Sequence, residues 1–127
     1  MLQFLKIIFH ISIFFLVILS LYPGNLIGFF FYGDLGYEPI LIENQFGNSI
    51  NHFLLYFCVA LLGFYLYSKE KYLKKVIYGL FFLSLMLEFL QFIVPLRAFE
   101  LADLIANFFG VLIAYLVIKT YLLFIRK

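Results

Sequence analysis

Charge is scarce in this chain of 127 residues. Asp, Glu, Lys and Arg together make up 13% of it, roughly half of what a water-soluble domain carries. A soluble enzyme, a disordered segment and a nucleic-acid-binding module are excluded on that ground. Cysteine is scarcer still. Cys58 stands alone inside an apolar run, so no internal disulfide is available and nothing follows about redox compartment. The signatures of common catalytic folds are missing as well: there is no HExxH, no paired cysteines, no Gly-rich phosphate loop and no Gly-x-Ser-x-Gly. His52, Glu88 and Asp103 could offer three metal ligands from three segments, but without such a motif neither a metal nor an organic cofactor is expected.

What the chain has in abundance is apolar length. Hydrophobic residues make up 66%, with 19 Phe and 10 Tyr. Crossing a hydrocarbon core of about 30 Å takes about 20 mostly apolar residues in a helix, and four stretches qualify: about 4–22, 50–67, 76–94 and 101–124. The first is closed by Pro23-Gly24 and the third by Pro95. Ser20-Leu21-Tyr22-Pro23 is a poor match to a small-x-small cleavage site, so the first stretch is expected to be retained as a span. The fold class is therefore all-α: one domain over 1–127, a bundle of four transmembrane helices.

Orientation follows from the loops, because Lys and Arg accumulate on the cytoplasmic side. Residues 69–75 hold Lys69, Lys71, Lys74 and Lys75, a run suited to anionic lipid, whereas 23–49 hold Asp34, Glu38 and Glu43 and no Lys or Arg. Lys6 lies near one terminus, and Lys119, Arg126 and Lys127 near the other. Both termini are expected inside, and the long first loop and short third loop outside. Phe29-Phe30-Phe31-Tyr32 in the long loop reads as an interfacial loop segment.

Polar residues within spans are costly, about 2.5–3.5 kcal/mol for a charge at the bilayer centre, and so mark function by default. At 100° per residue, Ser84, Glu88, Gln91 and Pro95 fall within about 60° on the third span. On the fourth, Asp103, Asn107, Gly110 and Ala114 share a face, and Ala102, Ala106, Gly110 and Ala114 repeat at the spacing that brings helix backbones close. On the second, His52, Tyr56 and Gly63 share a face. The loop-derived topology puts His52, Glu88, Gln91, Arg97, Asp103 and Asn107 all at the outer end, which predicts one polar pocket open to the outer leaflet. A structural alternative is that Glu88 is protonated, or paired with Arg97 or His52, and holds the helices together. His10, in the inner half, reads as structural.

The stretch from Glu88 to Gly110 resembles the signature of VanZ-like membrane proteins: E-x-x-Q (Glu88, Gln91), P-x-R (Pro95, Arg97), then D-x-x-x-N-x-x-G (Asp103, Asn107, Gly110). Upstream, Asn48-Ser49-Ile-Asn-His52-Phe-Leu-Leu-Tyr56 matches the family's D-K-x-x-H-x-x-x-Y, with Asn48 and Ser49 where the family usually has Asp and Lys. The resemblance covers roughly residues 48–115. It implies a multi-pass protein of the bacterial cytoplasmic membrane with a cell-envelope role, since the namesake is associated with low-level resistance to teicoplanin, a lipid-tailed glycopeptide.

Three functions compete. The first is a binding or modulating protein acting on a lipid-linked cell-wall precursor or lipoglycopeptide. In it, Arg97 grips an anionic group, Gln91, Asn107 and Tyr56 complete the pocket, and Ala106, Gly110 and Ala114 pack the helices. The second is an intramembrane enzyme with Glu88 and His52 as acid and base and Asp103 orienting one of them. The third is a proton-coupled transporter titrating Glu88. Expected partners are membrane lipids and no nucleic acid, and four spans leave room for a homo-oligomer.

Overall fold

The computed structural model describes residues 1–39, 47, 49–69 and 71–125. Expectations placed on Glu43, Asn48, Glu70, Arg126 and Lys127 lie outside the described residues. Every regular element described is helical: α1 (Leu2–Leu21), α2 (Leu26–Tyr32), α3 (Ser49–Tyr67), α4 (Leu73–Leu90) and α5 (Leu101–Ile125), with a 3₁₀ turn at Gln91–Ile93 extending α4. Four of them, α1, α3, α4 with its turn, and α5, are long and apolar enough to cross a membrane.

Within the long first loop, read from the sequence as interfacial, the structure adds a short helix, α2. Asn25 caps it through a hydrogen bond from the Gly28 N–H to Oδ1, 3.0 Å, and Gly33 closes it at φ +73°, a left-handed cap that glycine adopts without penalty. These caps let one short helix form within an aromatic loop. Its Phe30, Phe31 and Tyr32 are exposed, as suits a helix lying in the membrane interface.

Side-chain contacts fix the arrangement of the long helices. Lys6, near the start of α1, lies 5.0 Å from the ring centroid of Tyr67 at the end of α3. Ser49 at the start of α3 contacts Asp103 at the start of α5, and Gln91 at the end of α4 contacts Ser20 at the end of α1. The bundle thus has a termini end, where both described chain ends lie, and a loop end. α3 and α5 run parallel.

The tightest helix contact is between that pair. A Cβ on Gly110 would stand 2.6 Å from the Phe53 carbonyl oxygen and 3.0 Å from the Phe57 nitrogen, both backbone atoms of α3. Around it, Tyr56, Val59, Ala60, Val111 and Ala114 are buried. Ala106 is only half-buried and Ala102 is exposed, so the packing face runs through Asp103, Asn107, Gly110 and Ala114. Gly110→Val must push the two backbones apart. It is expected to cost about 1–3 kcal/mol, the range for overpacking, and to lower the thermal midpoint in detergent. Gly79→Ala, at a position with open space around it, should leave the midpoint unchanged or raise it.

Candidate functional site

The buried polar groups of the spans gather at the loop end, in two sets joined through α5. Asp103 and Asn107 lie one helical turn apart on its buried face.

Asp103, 6% exposed, accepts a hydrogen bond from the Ser49 hydroxyl at 2.6 Å and lies 3.3 Å from His52 Nε2. Ser49 and His52 are separated by three residues on α3, so both reach one carboxylate. Ser49 occupies the position where the family signature carries Lys, and here its hydroxyl meets Asp103.

Glu88, 1% exposed, faces Asn107, also 1% exposed. The Asn107 side-chain nitrogen donates to Glu88 Oε2 at 3.2 Å, and the Glu100 backbone N–H donates to Oε1 at 3.3 Å. Both carboxyl oxygens are therefore satisfied, as a buried acid requires. Glu88 bonds neither Arg97 nor His52, so of its structural alternatives the pairing does not form. Its height on α4 brings it to Asn107 and to the chain just ahead of α5, while Arg97 bonds the end of α1.

Arg97 is drawn there by α1. After Pro95 the backbone turns sharply, with Leu96 held at φ +60°, a left-handed conformation costly for leucine. The guanidinium then reaches the last turn of α1. It donates from Nη2 to the Leu19 carbonyl at 2.6 Å and from Nε to the Tyr22 carbonyl at 3.4 Å, and Nη1 lies 3.5 Å from Glu38. A cation at these carbonyls complements the negative end of the helix dipole. Burial pushes the guanidinium down from its ordinary range, against the opposing pull of Glu38. Gln91 does similar work, donating to the Ser20 carbonyl at 3.2 Å.

Two cavities meet at Arg97. The first, about 140 Å³, lies between α1, α2 and α3 and is lined by Leu19, Ile27, His52, Leu55 and Tyr56 among others. The Tyr56 hydroxyl is buried beside Ser20 without closing a hydrogen bond of ordinary geometry, and Asn107 Oδ1 is likewise buried without a partner among the described residues. The second, about 480 Å³, is a polar vestibule lined by Glu38, Gln91, Glu100 and Asp103. Among the described residues no group of three His, Cys, Asp or Glu side chains is placed to hold a metal ion.

The expected outer-end residues therefore do converge, except that Arg97 and Gln91 face α1. Ser20, Glu38, Ser49 and Asn51 join the site without having been singled out as site residues. Asn51 donates to the Pro39 carbonyl at 2.9 Å. Ser49 had a readable signal, its three-residue spacing from His52; Glu38 and the backbone N–H of Glu100 had none. His10 stays at the termini end, its Nδ1 2.6 Å from the Lys6 carbonyl oxygen.

Four apolar helices closed at one end over a buried polar cluster define a small polytopic membrane protein. The chain belongs to the VanZ/LLP1 family, whose model matches residues 4–124. No curated protein and no solved structure matches the chain.

Proposed function

We propose that this membrane protein faces its loop end outward and there binds a lipid-linked cell-envelope molecule or a lipophilic glycopeptide. The observation that carries this reading is the pair of cavities meeting at Arg97, one largely apolar and one polar, as an amphiphile requires. The charge distribution supports the orientation. Lys6, Lys69, Lys71, Lys74, Lys75 and Lys119 lie toward the termini end, which favours that end as cytoplasmic, and the bacterial inner membrane is what the family resemblance implies. In this reading Tyr56 and Arg97 line the tail cavity, Gln91 the vestibule, and Asn107 supports Glu88 from behind.

Teicoplanin susceptibility in a sensitive Gram-positive host tests it. Wild type is expected to raise the inhibitory concentration several-fold. Leu55→Trp, which fills the apolar cavity, should abolish the protection at equal membrane level. Protection that survives the filled cavity would remove the cavity from the mechanism. If wild type gives no protection at all, the glycopeptide is not the ligand, and native envelope lipids become the probes.

A second reading, acid–base catalysis, has one observation in its favour. His52 lines the apolar cavity with Asp103 held against its ring, the arrangement of an oriented imidazole. It requires turnover of a lipid substrate by purified protein, and unchanged substrate after prolonged incubation counts against it.

A further inference from the structure

The apolar cavity is too small for a lipid tail and stands open on one side. Its volume, about 140 Å³, is close to that of an apolar cavity of about 150 Å³ that takes benzene, which is room for roughly six carbons. A lipid chain reaches through about half of a hydrocarbon core of about 30 Å, so most of a bound tail must lie outside the protein. Two of the wall residues, Ile27 on α2 and Leu55 on α3, are also among the exposed apolar side chains. The cavity therefore reaches the protein surface between these two helices.

α2 continues that opening outward. Ile27, Phe30 and Phe31 stand at i, i+3 and i+4 and share one helix face, and Phe30 and Phe31 are the most exposed side chains of α2. The opposite face is spent on the chain that follows. A Cβ on Gly28 would collide with the Tyr37 carbonyl oxygen, the Tyr32 and Tyr37 rings lie 4.6 Å apart, and the Asn25 N–H donates to the Leu35 carbonyl at 2.6 Å. The aromatic face is thus held outward from behind. α2 begins shortly after α1 ends, so it lies near the level at which that span leaves the hydrocarbon. No Asp, Glu, Lys or Arg occurs between Lys6 and Asp34, and aromatic rings favour the boundary between lipid and water. An uncharged apolar strip therefore leads from the bilayer, over Phe31 and Phe30, to Ile27 at the cavity mouth.

We infer that the cavity is filled sideways from the leaflet at the loop end. The alkyl chain of a bilayer-resident lipid passes over the Ile27, Phe30 and Phe31 face, and its first carbons lodge between Leu19, Leu55 and Tyr56 while the rest stays in the leaflet. This rests on the binding role proposed above and narrows its ligand to molecules already anchored in the bilayer. It also gives the aromatic run of the long first loop a task beyond anchoring.

The test places the full chain in vesicles of phosphatidylglycerol and phosphatidylethanolamine. A phosphatidylglycerol with a photoreactive diazirine in the upper part of one acyl chain is the probe, and adducts are located by mass spectrometry. Tyr56 lines the cavity and is 2% exposed, so a chain reaches it only through the cavity; Phe89, exposed on α4 near the same end, is the reference. Wild type is expected to be labelled at both. Leu55→Trp should abolish labelling at Tyr56 and spare Phe89. The double variant Phe30→Ser/Phe31→Ser should lower the ratio of Tyr56 to Phe89 labelling several-fold, and Phe30→Leu/Phe31→Leu should restore it. An unchanged ratio in the serine variant overturns entry over α2. Hexanol, which can reach the cavity from water, separates this from the binding role. It should raise the thermal midpoint in detergent for wild type and the serine variant but not for Leu55→Trp. If hexanol stabilises wild type while the lipid never labels Tyr56, the cavity binds alkyl chains but not from the leaflet, and the inference alone falls. If neither reaches the cavity, the binding role falls with it.

Discussion

Arg97→Ala is expected to release the loop end of α1 from the bundle. α1 is the least buried of the four spans; only Phe9 and Leu16 along its length are fully buried. Its last turn is held by Arg97 at the Leu19 and Tyr22 carbonyls and by Gln91 at Ser20. Hydrogen bonds to a charged donor contribute about 1.5–3 kcal/mol each. Water at the membrane surface can rehydrate freed carbonyls, and the partly exposed Glu38 pair adds little. A net loss of about 2–3 kcal/mol is therefore expected. The measurement is amide exchange along α1 together with the thermal midpoint. Exchange should rise in the last turn, around 18–22, and stay low near Phe9, where the ring packs against Gly63 of α3. Because that last turn walls the apolar cavity, any ligand stabilisation should be lost as well. Arg97→Lys should recover only part of both, since one ammonium cannot match the guanidinium's spread of donors. Unchanged exchange in the alanine variant would show that the turn after Pro95 does not hold α1.

At Glu88 the shape of the replacement decides the outcome. Its two oxygens accept from Asn107 and from the Glu100 N–H. In Glu88→Gln the new oxygen can keep the Glu100 bond, while the new amide nitrogen faces Asn107. A half-turn of the Asn107 amide brings its unpartnered Oδ1 round to accept from that nitrogen. Both groups are then paired, and stability is expected to stay within about 1 kcal/mol of wild type. Glu88→Leu leaves the buried Asn107 amide and the partly buried Glu100 N–H unpaired at about 1–3 kcal/mol each, so a loss of about 2–6 kcal/mol is expected in chemical unfolding. The same pair of variants separates the functional readings. A binding site retains ligand stabilisation with the glutamine, whereas an acid–base or proton-carrying site loses activity with it. A glutamine variant as unstable as the leucine one would mean that charge, and not hydrogen bonding, is what the cluster needs at this position.

The spans were legible in the sequence to within about three residues at each end, because hydrocarbon thickness and proline leave few choices. The faces were legible too: Ser84, Glu88 and Gln91 are all buried, as their spacing on one helix requires. Helical periodicity supplies direction around an axis but not which neighbour stands there. It therefore left Glu88 open to Arg97 or His52 and did not single out Asn107, the partner it has. The contacts of Arg97 were not legible because its acceptors are backbone carbonyls, present in every residue and invisible to a search for charged partners. α2 escaped notice for a different reason. Its seven residues are too few to show a periodic pattern, and its signal lay in the two capping residues.

The closest backbone approach in the bundle, Gly110 against α3, joins helices that are not neighbours in the chain. α3 and α4 carry His52 and Glu88, whose partners Asp103 and Asn107 are in place only once α5 has docked. Until the last helix arrives, those side chains sit in lipid or at the insertion channel with their hydrogen bonds unmade. α5 therefore acts as a keystone, and a chain halted before residue 101 displays the very polar groups by which a half-built membrane protein can be recognised and degraded.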